Sequence, residues 1–201
     1  MLTPESVSDP SHDSHYVDDT LYTHLVELSA DWSSRGRITR EERPSSDVRE
    51  DCATLIYAEA RYADGLELDD WLACYASECI YWIPASYPAA DPRQEITHEI
   101  HDRRRLEDRV ARVQTGFAYS MIPPIRTTHV LGNFESWQSG DGKIRARSRF
   151  IIDALNKDSR RVLSGWIGYS LVNVGGEWRI AVKQINLIDA NYPQENNSFF
   201  L

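Results

Sequence analysis

The chain has 201 residues, a formal net charge of −9, and 41% apolar and 26% charged residues. That length fits one domain, with room for an extension, and a core large enough to need no staples. The acidic balance argues against broad nucleic-acid or anionic-membrane binding. No apolar run approaches the ~18 residues of a membrane span, and no basic start followed by an apolar stretch marks a signal peptide.

Met1–Thr20 is rich in Ser, Asp, His and Pro and has no Lys or Arg. It reads as a flexible tail, with His12 and His15 as solvated residues rather than a metal arm. Leu21, Leu25, Leu28 and Trp32 follow at helical spacing and form one apolar stripe, read as a docked arm that packs on its own domain or on a partner. Arg35–Arg43 is a charged linker ending at Pro44. Residues 1–46 are therefore expected to be an extension, and 47–201 the main domain.

Ser45-Ser46-Asp47, with Glu50 three residues after Asp47, starts a helix whose buried stripe is Val48, Cys52, Leu55, Ile56 and Ala60. Gly65 is placed at its end. A shorter helix begins near Asp69-Asp70, where carboxylates suit the N-terminal dipole. Cys79–Ile83 reads as a short strand stopped by Pro84, and Ala85–Pro92 as a loop. Within Ile96–Phe117, Leu106, Val110, Val113 and Phe117 mark another helix, whose mixed charges read as a solvated face.

Four strands then follow: Thr127–Trp137, Lys143–Leu155, Arg161–Val174 and Glu177–Asp189, joined by short turns containing Gly, Asn and Asp. In the second strand, Ile144, Ala146, Phe150 and Ile152 point one way and Lys143, Arg145, Arg147 and Arg149 the other. The alternation slips in the last strand, which predicts a β-bulge near Lys183–Gln184. Helices first and hairpins after them give an α+β fold, a long curved antiparallel sheet covered by helices to form a cone.

The chemistry is bounded by absences. No G-x-G-x-x-G, P-loop or G-x-S-x-G is present. Cys52, Cys74 and Cys79 lack framework spacing and read as reduced cytoplasmic thiols. His98 and His101 form an H-x-x-H that no carboxylate completes. Asp64, Tyr81, His101 and His129 are the acid–base candidates of such a cone, weighed against ordinary core or rim positions. The arginine row and the terminal Phe199-Phe200-Leu201 both ask for a partner surface. The row pairs with carboxylates across strands or subunits, and the triplet fills a pocket in its own domain or in a neighbour.

Several separated stretches resemble a known signature. They are Glu59-Ala60-Arg61-Tyr62-Ala63-Asp64, Trp71-Leu72, Tyr81-Trp82-Ile83-Pro84, the run from His101 to Arg112 leading into Thr115-Gly116-Phe117, Pro123-Pro124-Ile125-Arg126-Thr127-Thr128-His129, and the closing Asn197–Leu201. Together they are similar to the small (β) subunit of bacterial aromatic-ring-hydroxylating dioxygenases, over roughly Asp47 to Leu201. Ile125 and Thr128 depart from the family pattern, which has a small hydroxyl residue and an Arg there. The resemblance implies the cystatin-like cone shared with nuclear transport factor 2 and ketosteroid isomerase. It also implies an assembly, usually an α3β3 hexamer with β–β trimer contacts. The large α subunit there carries a Rieske [2Fe–2S] cluster and a mononuclear non-haem iron, and NAD(P)H supplies electrons through a reductase, sometimes via a ferredoxin. This chain has no Cys-x-His or Cys-x-x-His for a Rieske centre. It is expected to carry no catalytic, cofactor or metal residues, and to be structural. Arg126, Arg145, Arg147, Arg149, Phe199, Phe200 and Leu201 are the expected interface residues. The alternatives are a free-standing isomerase, dehydratase or hydrolase using His101, Tyr81 or an Asp, and a small-ligand-binding or scaffold module.

Overall fold

A computed structural model describes residues 19–194 and 198–201. Asp19 and Thr20, read as the end of the tail, open α1 instead; the rest of the tail reading, with His12, His15 and also Asn197, falls outside the described residues. The elements are α1 (Asp19–Ser34), α2 (Ser46–Gly65), α3 (Leu68–Ala73), β1 (Tyr75–Ile83), β2 (Glu99–Asp102), α4 (Arg103–Gln114), β3 (Arg126–Gln138), β4 (Ile144–Asn156), β5 (Ser159–Val174) and β6 (Glu177–Leu187). The six strands form one curved sheet in the order β2-β1-β6-β5-β4-β3, with β1 parallel to β6 and the other neighbours antiparallel. No helix among the described residues is long and apolar enough to cross a membrane.

The alternation read in β4 places its two faces. Ile144, Ala146, Phe150 and Ile152 line the inside of the cone beneath α2, α3 and α4. The outer face has its own cover: Leu25, Leu28 and Trp32 of α1 pack on Ile80, Trp82, Trp137, Trp166 and Val182. Each such burial contributes on the order of 1.5–3 kcal/mol. Gly168 makes the close approach possible, since a Cβ there would lie 2.4 Å from the Trp32 ring.

Three local readings are corrected. The bulge lies at Ala181, two residues before the expected place: Ser170 pairs with Val182 and Leu171 with Ile180. The extra residue leaves both Ile180 and Lys183 facing inward. The residue in the left-handed region after α2 is Leu66 (φ 54°), not Gly65. Its side chain packs against the core, which offsets a cost on the order of 1–2 kcal/mol. The helix expected within Ile96–Phe117 starts only at Arg103, where Asp102 accepts from the Arg105 N–H at 2.9 Å. The residues before it form β2 against β1, a strand with one apolar residue in four and so no alternation to detect.

Candidate functional site

The inside of the cone holds a buried polar cluster. Glu59 lies on the inward face of α2, and the Ala181 bulge aims Lys183 at it from β6. The Lys183 ammonium donates to both Glu59 oxygens, at 2.7 and 2.9 Å, and to the main-chain oxygen of Leu201 at 2.6 Å. Trp71 Nε1 and the Tyr75 hydroxyl donate to Glu59 Oε1, each at 2.7 Å. Burial pulls the Lys183 ammonium below its ordinary value and the Glu59 carboxylate opposes that. Burial likewise pushes the Tyr75 and Tyr81 hydroxyls up.

Around this cluster the cone is filled by its own chain. Trp71, Tyr81, Tyr169 and Phe200 are at most 1% exposed. The Tyr81 hydroxyl donates to Leu201 O and accepts from Leu201 N–H, both at 3.1 Å. The pocket that the Phe199–Leu201 triplet fills is therefore in its own domain.

The four acid–base candidates meet as two pairs. Asp64, at the end of α2, accepts from Thr127 Oγ1 at 2.7 Å and from the His129 N–H at 2.9 Å, and lies 2.6 Å from His129 Nδ1. Burial raises the Asp64 carboxyl, but the hydrogen bonds from His129 and Thr127 outweigh it and hold the group below its usual range. Tyr81 and His101 are cross-strand partners with stacked rings 6.3 Å apart. Burial, then the charge of Arg109, holds the His101 imidazole down at about 4. His101 borders a cleft of about 500 Å³ shared with Glu99, Arg105, Arg109 and Arg112. Arg109 is not simply solvated: it pairs with Glu99 at 2.6 Å and donates to Phe199 O at 2.8 Å.

The arginine row divides by depth. Arg145 is buried and donates to Ser170 Oγ at 2.6 Å and to Asp141 at 3.1 Å. Arg147 donates to the Trp32 carbonyl at 2.6 Å and pairs with Glu135 at 2.6 Å. These two residues tie the sheet to its own turn, its own edge and α1. Arg126 and Arg149 are exposed.

Among the described residues, no three His, Cys, Asp or Glu side chains converge. Burial pushes the Cys52, Cys74 and Cys79 thiols up to about 12, away from the thiolate that a metal requires.

Sequence reasoning missed Glu59 and Lys183. The available signal was a charge on a buried stripe: Glu59 lies three residues after Ile56 on the α2 stripe, and Lys183 sits where the β6 alternation slips.

Residues 58–194 match the model of the ring-hydroxylating β-subunit family. The chain belongs to that family. Among the β subunits it resembles is that of benzoate 1,2-dioxygenase from Acinetobacter baylyi, 38% identical over 98 residues, covering 46% of this chain and 57% of that one. The small oxygenase component of the p-cumate 2,3-dioxygenase system of Pseudomonas putida is 28% identical over 157 residues, covering 77% and 87%. The alignments to the first three curated relatives span 57–62% of the relatives' own lengths. The solved benzoate 1,2-dioxygenase β subunit of Burkholderia mallei shares the fold at a TM-score of 0.61 and 22% identity, over 75% of this chain and 96% of that one. A naphthalene 1,2-dioxygenase chain does so at 0.61 and 19%, over 79% and 88%. The cone, with its helices on a curved six-stranded sheet, is thus the architecture of this β-subunit family.

Proposed function

We propose that this chain is the non-catalytic, structural subunit of the terminal oxygenase of an aromatic-ring dioxygenase. It holds large α subunits that carry the Rieske [2Fe–2S] cluster and the mononuclear iron, in an α3β3 arrangement served by a reductase or ferredoxin. Besides the family match, one observation carries this reading. The interior of the cone, where a free-standing enzyme of this shape needs room for substrate, is occupied by Trp71, Tyr169, Phe200 and Leu201. The same observation weighs against the isomerase or dehydratase alternative, because the Tyr81 hydroxyl is used on Leu201.

Among the expected interface residues, Arg126 and Arg149 contribute as exposed charges. Arg145, Arg147 and the Phe199–Leu201 segment contribute by holding the surfaces around them. Residues 1–46 form an extension to the family's domain, and its α1 stiffens the outer sheet face.

The test is co-expression with a large chain bearing Cys-x-His and Cys-x-x-His, followed by native mass measurement and iron analysis. A hexamer whose iron resides wholly on the large chain is the expected result. Iron or turnover in the isolated chain, or no association, overturns the proposal.

A further inference from the structure

We propose that the interior of the cone is a recognition site for a short aromatic peptide segment, and that Phe199–Leu201 occupies it as an exchangeable ligand. The site grips the segment largely through main-chain atoms. Lys183 donates to Leu201 O, Tyr81 both donates to and accepts from Leu201, and Arg109 donates to Phe199 O. Such bonds hold a backbone whatever its sequence, and side-chain pockets add selectivity. The pocket here is aromatic and cationic: the Phe200 ring lies edge-on to Trp71 at 4.6 Å, under the Arg109 guanidinium at 4.6 Å.

The site is built without the segment. Glu59 already orients Lys183, Trp71 and Tyr75, and Glu99 orients Arg109. Lys183 and Arg109 therefore keep these partners when the segment leaves, while Tyr81 gives up both of its hydrogen bonds to Leu201, so the ordering cost of binding is small. The segment belongs to no helix or strand, so its departure breaks no sheet pairing. The cluster also holds more polar capacity than the segment uses. The Tyr169 hydroxyl is fully buried with no hydrogen-bond partner, close enough to feel the charge of Glu59. Buried polar groups are nearly always paired, so this hydroxyl is free to take a further polar atom of a bound segment.

The test uses the full chain, its Phe200→Ala variant and a chain ending at Ser198, each titrated with the acetylated tetrapeptide Ser-Phe-Phe-Leu as free acid and as amide. The full chain is expected to show no binding, since its tethered copy competes at an effective concentration on the order of millimolar. The variant and the shortened chain bind one peptide each, with a melting temperature raised by a few degrees at saturation. Binding weakens about tenfold or more in the Glu59→Gln, Lys183→Met double variant, which removes the donor without stranding a charge. A shortened chain that does not fold alone regains its melting transition when refolded with the peptide. The proposal falls if the shortened chain neither binds nor is rescued, if the full chain binds equally well, or if the double variant binds undiminished.

Discussion

Lys183 and Glu59 meet inside the cone from positions 124 residues apart, with the ammonium 2.7 Å from one carboxylate oxygen and both side chains at most 2% exposed. An ion pair this deep gains little net stability, but losing one partner strands a charge. Glu59→Leu is therefore expected to cost about 3–5 kcal/mol. The Glu59→Leu, Lys183→Met double variant should recover much of that loss. Urea unfolding of the three proteins measures the coupling, and additive losses would argue against a paired role.

Gly168 is a steric requirement of α1. Gly168→Ala puts a methyl within the Trp32 ring, so α1 must lift or β5 must move. The expected loss is about 1–3 kcal/mol, with earlier protease cleavage within residues 19–34. Unchanged cleavage would mean that the ring slides aside at no cost.

His101 sets one pH window. Its folded value of about 4 lies below the ordinary 6.5, so the unfolded chain binds the proton more readily. Stability from keeping His101 neutral is complete above pH 6.5 and is lost as pH falls from 6.5 toward 4. His101→Phe should flatten the melting temperature across that range. An unaltered slope would assign it to other groups.

Asp64 sets a lower window. Its depressed carboxyl contributes stability above the ordinary 3.8 that is lost as pH falls further. Asp64→Asn is expected to remove that acid dependence and loosen β3 at Thr127 and His129. Hydrogen exchange of the His129 amide, which donates to Asp64 at 2.9 Å, reports it directly.

Arg147 and Arg149 separate two roles within one row. Arg147→Glu breaks the bond to the Trp32 carbonyl and should release α1 in the isolated chain. Arg149→Glu should leave the isolated chain's melting temperature unchanged and weaken assembly with the large chain. Native mass spectrometry beside thermal melting distinguishes the two, and an intact complex with Arg149→Glu would remove that residue from the interface.

The four long strands and the three longer helices were legible because period-two and helical stripes are local signals. β2 was not, since a four-residue edge strand is defined by its partner rather than its own pattern. The register slip in β6 was visible but misplaced by two residues, because Lys183 and Gln184 are both buried and blur the alternation. The polar centre of the cone was hidden for a related reason. Nothing local in α2 says that Glu59 will meet a lysine from the last strand. The burial of Phe199–Leu201 was half legible: the sequence demanded a pocket without saying whose.

Four of the six tryptophans, Trp32, Trp82, Trp137 and Trp166, crowd the outer sheet face against α1, while Trp71 stands inside the cone. The chain's intrinsic fluorescence is consequently weighted toward the seating of one helix. An emission shift on warming, on adding salt or on mixing with a partner reads the N-terminal clasp first, and the Glu59–Lys183 interior has to be followed by another probe.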